Sequence, residues 1–252
     1  MLTLRLLSLS LPLLLAACGP VKKVDETAEW GVEKLYRSAR AYLDDGQYMA
    51  AIERFEKLES RFPFGKYAIQ SQLDVAYAYY QFGEAESATA AVERFIKLNP
   101  RHEAVDYAYY LRGLINFNPG GNILDAVHER DLSNYDKQIL RKSYDDFQRL
   151  ILRFPDSRYA ADSRQRMIYL REQLARGDLK VARYYASREA WVAAVNRVKA
   201  ILLNYQGTSV IQPALEIQKQ AYEKLGLTTL AEDTHRIIEL NRPNTRQESN
   251  LM

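Results

Sequence analysis

From residue 39 to residue 63 the chain reads ARAYLDDGQYMAAIERFEKLESRFP, and seven of those positions decide the fold. Ala39, Tyr42, Gly46, Ala51, Phe55, Leu58 and Pro63 return 37 residues later as Ala76, Tyr79, Gly83, Ala88, Val92, Phe95 and Pro100. A small residue lets two antiparallel helices approach, and a nearby aromatic fills the gap that remains. The proline ends the second helix, because it has no N–H with which to continue the hydrogen-bond ladder.

Further copies follow. Gly113, Phe147, Leu150 and Pro155 make a third, stretched by an insertion between its helices. Ala182, Tyr185, Ala194, Val198 and Ile201 make a fourth, with Gln206 at the proline position. Tyr222, Gly226, Ala231, Ile238 and Pro243 make the fifth. The loop after the second helix also repeats: Arg61-Phe62-Pro63 precedes Lys66-Tyr67, and Arg153-Phe154-Pro155 precedes Arg158-Tyr159. This is the tetratricopeptide pattern. It predicts an all-α solenoid of about five helix-turn-helix repeats in a right-handed superhelix, an architecture that binds other proteins. The stretch from Ala160 to Ala175 lies outside the repeat and reads as one long helix through Gly177 or as two.

Residues 1–17 form a short apolar segment with one charge, Arg5, too brief to span a bilayer and suited to a signal-peptide core. It ends in Leu15-Ala16-Ala17-Cys18, a lipobox whose cysteine is the only one in the chain. Cys18 is therefore the expected lipidation site. By resemblance to bacterial lipoproteins it would carry three acyl chains, and several chains anchor a protein where one is marginal. Gly19 in place of aspartate favours outer-membrane sorting, again by that resemblance. Residues 18–29 read as a tether, 30–120 as N-terminal repeats, 121–136 as an inserted loop, 137–243 as C-terminal repeats and 244–252 as a flexible tail.

Thirty-five basic and 32 acidic residues give a formal charge of +3, and loss of the leader leaves +2. That balance does not fit a nucleic-acid binder, which shows a basic stripe. The three histidines, His102, His128 and His235, stand in different repeats, so no metal set is expected. Gly120-Gly121 lacks the Lys-Ser/Thr of a phosphate loop. With no nucleophile, base and orienter in sight, the sequence predicts a non-enzyme without cofactor.

In such hairpins the first helix lines the inner wall. Counting Ala39 as position 8, inward positions 5, 9 and 12 are Tyr36, Arg40 and Leu43, then Leu73, Tyr77 and Tyr80, then Tyr110, Leu114 and Phe117, with Tyr107 one turn away. The fourth and fifth repeats carry Leu179, Arg183, Ala186, Glu216, Gln220 and Glu223 there. An aromatic N-terminal wall rimmed by Arg40, Gln70 and Gln81 suits an extended apolar peptide, while a charged C-terminal half suits a folded partner. The same tyrosines would equally serve to pack one turn against the next.

Longer strings go beyond the repeat letters. Arg61-Phe62-Pro63-Phe64-Gly65, Ala76-Tyr77-Ala78-Tyr79-Tyr80, Arg94-Phe95-Ile96-Lys97-Leu98-Asn99-Pro100, Arg112-Gly113-Leu114 and Ala190 to Val198 closely resemble the BamD family, lipoproteins of the β-barrel assembly machinery in the Gram-negative outer membrane. The match runs from the lipobox to about Pro243. Gln206 departs from the family's proline, and the loop Asn118 to Asp136 shares little beyond its position and the pair Arg130-Asp131.

The resemblance implies a scaffold on the periplasmic face of the outer membrane. Its C-terminal half would dock the last periplasmic domain of BamA and, where present, other lipoproteins of the complex. Its N-terminal half would meet the C-terminal strands of unfolded barrel substrates, for which the wall of Tyr36, Tyr77, Tyr80, Tyr107, Tyr110 and Phe117 is the candidate. Arg188 and Arg197, on either side of Trp191, are the candidates for BamA docking, and Trp191 itself is expected in the core. The runner-up reading is a repeat lipoprotein that scaffolds or regulates peptidoglycan enzymes.

Overall fold

The computed structural model describes residues 25–117 and 132–241, and every regular element among them is a helix. Five antiparallel hairpins follow one another: α1 (Val32–Asp44) with α2 (Tyr48–Arg61), α3 (Lys66–Phe82) with α4 (Ala85–Leu98), α5 (Val105–Phe117) with α6 (Lys137–Arg153), α7 (Ala160–Ser187) with α8 (Trp191–Asn204), and α9 (Ile211–Lys224) with α10 (Thr228–Leu240). A 3-10 turn, Leu132–Asn134, leads into α6. The first helices of neighbouring hairpins lie side by side, α1 on α3, α3 on α5 and α7 on α9.

The repeat letters are the core. Ala39, Ala51, Phe55, Leu58, Ala76, Ala88, Val92 and Phe95 are all fully buried, and all but Leu58 merge with residues of α5 into one apolar cluster across the first two and a half hairpins. A second cluster runs from Leu132 and Leu140 through Phe147 and Leu170 to Ala214. Each large side chain taken fully out of water contributes roughly 1.5–3 kcal/mol, so a solenoid assembles its stability neighbour by neighbour.

One open sequence reading closes here and another changes. The stretch left open as one helix or two is a single helix of 28 residues, α7, continuous through Gly177. A side chain at Gly177 would press on the Ser133 carbonyl at 3.1 Å, so the glycine admits the 3-10 turn against the middle of α7. Residues 25–29, assigned to a tether, are instead fastened to the first hairpin. Asp25 pairs with Lys57 at 2.9 Å and with Arg61, whose guanidinium also donates to the Thr27 carbonyl at 2.5 Å. Trp30 takes the cations of Lys34 and Arg54 on its ring. Cys18, the signal segment, most of the inserted loop and the tail beyond Asn241 lie outside the described residues.

The hairpin turns need a left-handed residue four positions after the signature tyrosine. Glycine supplies it at Gly46, Gly83 and Gly226, and Glu189 takes the same conformation, with φ of 57°, after Tyr185. Glu189 is the one non-glycine residue in that region among the described residues.

Candidate partner-binding surfaces

The wall residues fall into three aromatic groups: Tyr36 with Tyr67, Tyr77 with Tyr80, and Tyr107, Tyr110 and Phe117 linked through Tyr159 and Phe147. Tyr36 on α1 donates its hydroxyl to Asp74 Oδ2 on α3 at 2.8 Å, and its ring lies 5.1 Å from Tyr67. Tyr77 and Tyr80 on α3 sit 6.5 Å apart. Tyr107 on α5 lies 5.5 Å from Tyr159, which also stacks on Tyr110 at 4.7 Å and 17°. The Tyr110 hydroxyl donates to Asp162 Oδ2 at 2.7 Å. Phe117 completes the row, edge-on to Phe147 at 6.1 Å, 5.8 Å from Tyr169 and under the guanidinium of Arg166 at 4.8 Å. All six predicted wall residues are half-buried.

The belt is therefore longer than the sequence pattern indicated. Tyr67, Tyr159 and Tyr169 belong to it, and so do the polar groups Asp74, Asp162 and Arg166. The loop echo carried the signal for the first two: Tyr67 and Tyr159 each follow the loop proline by four residues, and each packs on the position-5 tyrosine of the preceding first helix, Tyr36 and Tyr110. In the second repeat the position-5 residue is Leu73, which is buried. Leu43 and Leu179 are buried as well, so three of the four leucines read at inward positions face the core, while Leu114 is half-buried. Neighbouring first helices lie side by side, so inward positions on the shared edge are covered.

Burial shapes the electrostatics. Desolvation raises the hydroxyl pKa of Tyr36, Tyr77, Tyr80 and Tyr107, and pushes Tyr110 up to about 12, so these five hydroxyls keep their protons and can donate hydrogen bonds. Asp74 is also raised by burial, although Tyr36, Gln70 and Arg40 oppose the shift. Arg40, predicted as a rim residue, is held by Asp44 at 2.8 Å and Asp74 at 3.5 Å.

The two arginines of the C-terminal half differ. Arg188 is exposed at the α7–α8 turn, its guanidinium 5.6 Å over the ring of Tyr184. Arg197, the other docking candidate, lies 3.4 Å from the buried carboxylate of Asp178, which also takes Lys137 at 2.7 Å. A carboxylate 8% exposed needs a cation, and α8 supplies one of the two. Trp191 is half-buried against Val195, Ala221, Tyr222 and Ala231. His102 serves as a local cap, its Nδ1 accepting the Ala104 N–H at 3.1 Å, and stands edge-on to Phe95. His235 lies 3.9 Å from Glu239, while His128 falls outside the described residues.

A family model described as an outer membrane lipoprotein, YfiO, matches residues 29–237. The chain belongs to this family. It is 45% identical over 244 residues to the outer membrane protein assembly factor BamD of Neisseria meningitidis serogroup A, covering 95% of this chain and 91% of the relative. The BamD of Vibrio cholerae is 40% identical over 208 residues, 82% of this chain and 86% of the relative. That of Xylella fastidiosa is 34% identical over 231 residues, covering 92% and 79%. Among solved structures, the TPR2AB domain of yeast Sti1 in complex with pHSP90 is similar at a TM-score of 0.45 and 15% identity, over 84% of this chain and 78% of that one. MamA is similar at 0.35 and 18%, over 81% and 88%.

Proposed function

We propose that this chain is a non-enzymatic scaffold lipoprotein of the β-barrel assembly machinery, anchored through Cys18 at the periplasmic face of the outer membrane. The N-terminal hairpins hold the C-terminal strand of an unfolded barrel protein against the aromatic belt. The C-terminal hairpins dock a periplasmic domain of BamA through the surface around Arg188 and Arg197, alongside other lipoproteins of the complex. Membership of the BamD family supports the process. The observation that carries the substrate half is the belt itself, half-buried aromatic rings, several with hydrogen-bonding tips, spread over α1, α3, α5 and the start of α7. Tyrosine offers flat apolar area and a polar edge at small entropic cost, which suits an extended strand that ends in an aromatic.

The belt also packs the hairpins together, so the test must separate binding from folding. Tyr80 is the useful residue, because its ring meets the belt through Tyr77 alone among the ring contacts of the described residues. Tyr80→Ala is expected to weaken binding of a barrel C-terminal peptide ending in phenylalanine by about 2 kcal/mol, roughly thirtyfold in Kd, with a modest fall in Tm. Tyr110→Ala removes a stack and a hydrogen bond and should lower Tm more. A Tyr80→Ala protein that melts early yet binds the peptide like wild type below its melting point would sink the substrate reading.

A further inference from the structure

On α7 the belt uses only one side. At 100° per residue, Asp162, Arg166 and Tyr169 share a face, and Arg164, Met167, Ile168 and Arg171 share the opposite one. That second face, with Ile151 and Leu152 of α6, forms a groove of about 350 Å³ open to solvent. Its apolar lining is conspicuously uncovered: Leu152 is 76% exposed and Ile168 is 64% exposed. Isolated exposed leucines need no explanation, but several that line one concavity mark a contact surface.

The arginines supply the second observation. α7 pairs two of its other three arginines with carboxylates one turn away, Arg166 with Asp162 at 2.6 Å and Arg176 with Glu172 at 3.2 Å. The two that flank the groove have no such partner among the described residues. Arg171 donates to the Gln206 carbonyl at 2.6 Å, a neutral acceptor that fixes its direction, and Arg164 forms no ion pair. They stand seven residues apart, two turns of helix or roughly 10 Å along the axis.

We propose that this groove binds an amphipathic, acidic helix of another protein, laid along the α6–α7 seam. An apolar stripe at i, i+3, i+4 and i+7 would fill the concavity, and two carboxylates at i and i+7 would repeat the spacing of Arg164 and Arg171 and pair with them. A concavity bounded by two helices accepts inserted side chains, whereas a flat lipid surface would leave it unfilled. The surface is distinct from both the aromatic belt and the Arg188 region, so a single chain can hold three partners at once.

The test is a photo-cross-link in cells. A benzoylphenylalanine at position 168 of the full-length lipoprotein is irradiated, and the attached segment is mapped by mass spectrometry. The expected result is one adduct to a segment with helical apolar spacing and two carboxylates seven residues apart. Its yield should fall at least tenfold in Arg164→Glu plus Arg171→Glu and return when the partner's carboxylates are changed to lysine. Arg164→Glu alone, at an exposed and unpaired position, serves if the double variant loses its circular-dichroism signal. Absence of an adduct would overturn the proposal. So would an adduct to lipid or to a second copy of this chain, a mapped segment without carboxylates, or a yield indifferent to charge reversal.

Discussion

Gly113 shows how tightly single residues are specified. It holds the place that Ala39 and Ala76 hold in the first two hairpins, but a Cβ there would sit 2.5 Å from the ring of Phe147, which is itself fully buried. The ring has no room to retreat. Gly113→Ala is expected to cost about 1–3 kcal/mol despite its better helix propensity, measured as a shift in the urea midpoint. Pairing it with Phe147→Leu should recover part of the loss, and an unaltered midpoint in the single variant would show that the contact is looser than described. Asp74 offers a pH test at the same scale. Burial raises its folded pKa above the ordinary 3.8, so the folded state holds its proton more tightly than the unfolded chain does. The sign follows: this group adds stability as pH falls through its folded pKa toward the unfolded one, and loses it as pH rises. Against Asp74→Asn, which cannot titrate, wild type should therefore gain relative stability between pH 7 and pH 4 in urea titrations. A constant difference would contradict the burial.

At the scale of the hairpin, the repeat tolerates one exception at its tightest point. Three turns use glycine for the left-handed residue and the fourth uses Glu189. A side chain in that conformation costs roughly 1–2 kcal/mol, partly offset because glycine frees the unfolded chain by about 0.4–1 kcal/mol. Glu189→Gly is thus expected to stabilise the α7–α8 hairpin by about 0.5–1 kcal/mol, seen as a higher Tm. A lower Tm would mean that Glu189 makes a compensating contact. The strained turn adjoins Arg188, the more exposed of the two candidate docking arginines, and strain kept beside a candidate site is a reason to test both together. The belt is likewise a property of hairpins in series, because each tyrosine that opens a first helix, Tyr67 or Tyr159, leans on the hairpin before it.

Across the whole molecule, stability and docking can be pulled apart. Arg188 is exposed and its described contact is a tyrosine face, so Arg188→Glu should leave Tm within the range of about 0.5 kcal/mol typical of surface changes. If the BamA reading holds, this variant loses affinity while folded. Arg197→Glu should lower both, because it sets a second carboxylate against Asp178 and leaves Lys137 as the nearest cation. The arginine is partly exposed, so roughly 1–2 kcal/mol of stability is expected rather than the full cost of a broken buried pair. Parallel melting and pull-down measurements on the two variants decide which arginine docks. Equal affinity loss with equal Tm in both would show that Asp178 does not hold Arg197.

The sequence by itself determined the hairpin succession, because the helix period, the alanine approach positions and the terminating prolines are local features, written within 25 residues of one another in Ala39 to Pro63 and again in Ala76 to Pro100. It also marked Tyr36, Tyr77, Tyr80, Tyr107, Tyr110 and Phe117 as one face, since position in a repeat is position on a helix. Tertiary structure alone decided what those rings do. Tyr159 reaches Tyr110 across 49 residues and Asp178 binds Lys137 and Arg197 from two other helices, and no local period encodes which partner a side chain meets across a hairpin boundary. It alone also turned Leu43 and Leu73 into the core and carried α7 unbroken through Gly177. Those outcomes depend on which edge of a helix its neighbour covers, and that edge is fixed only when the hairpins stack.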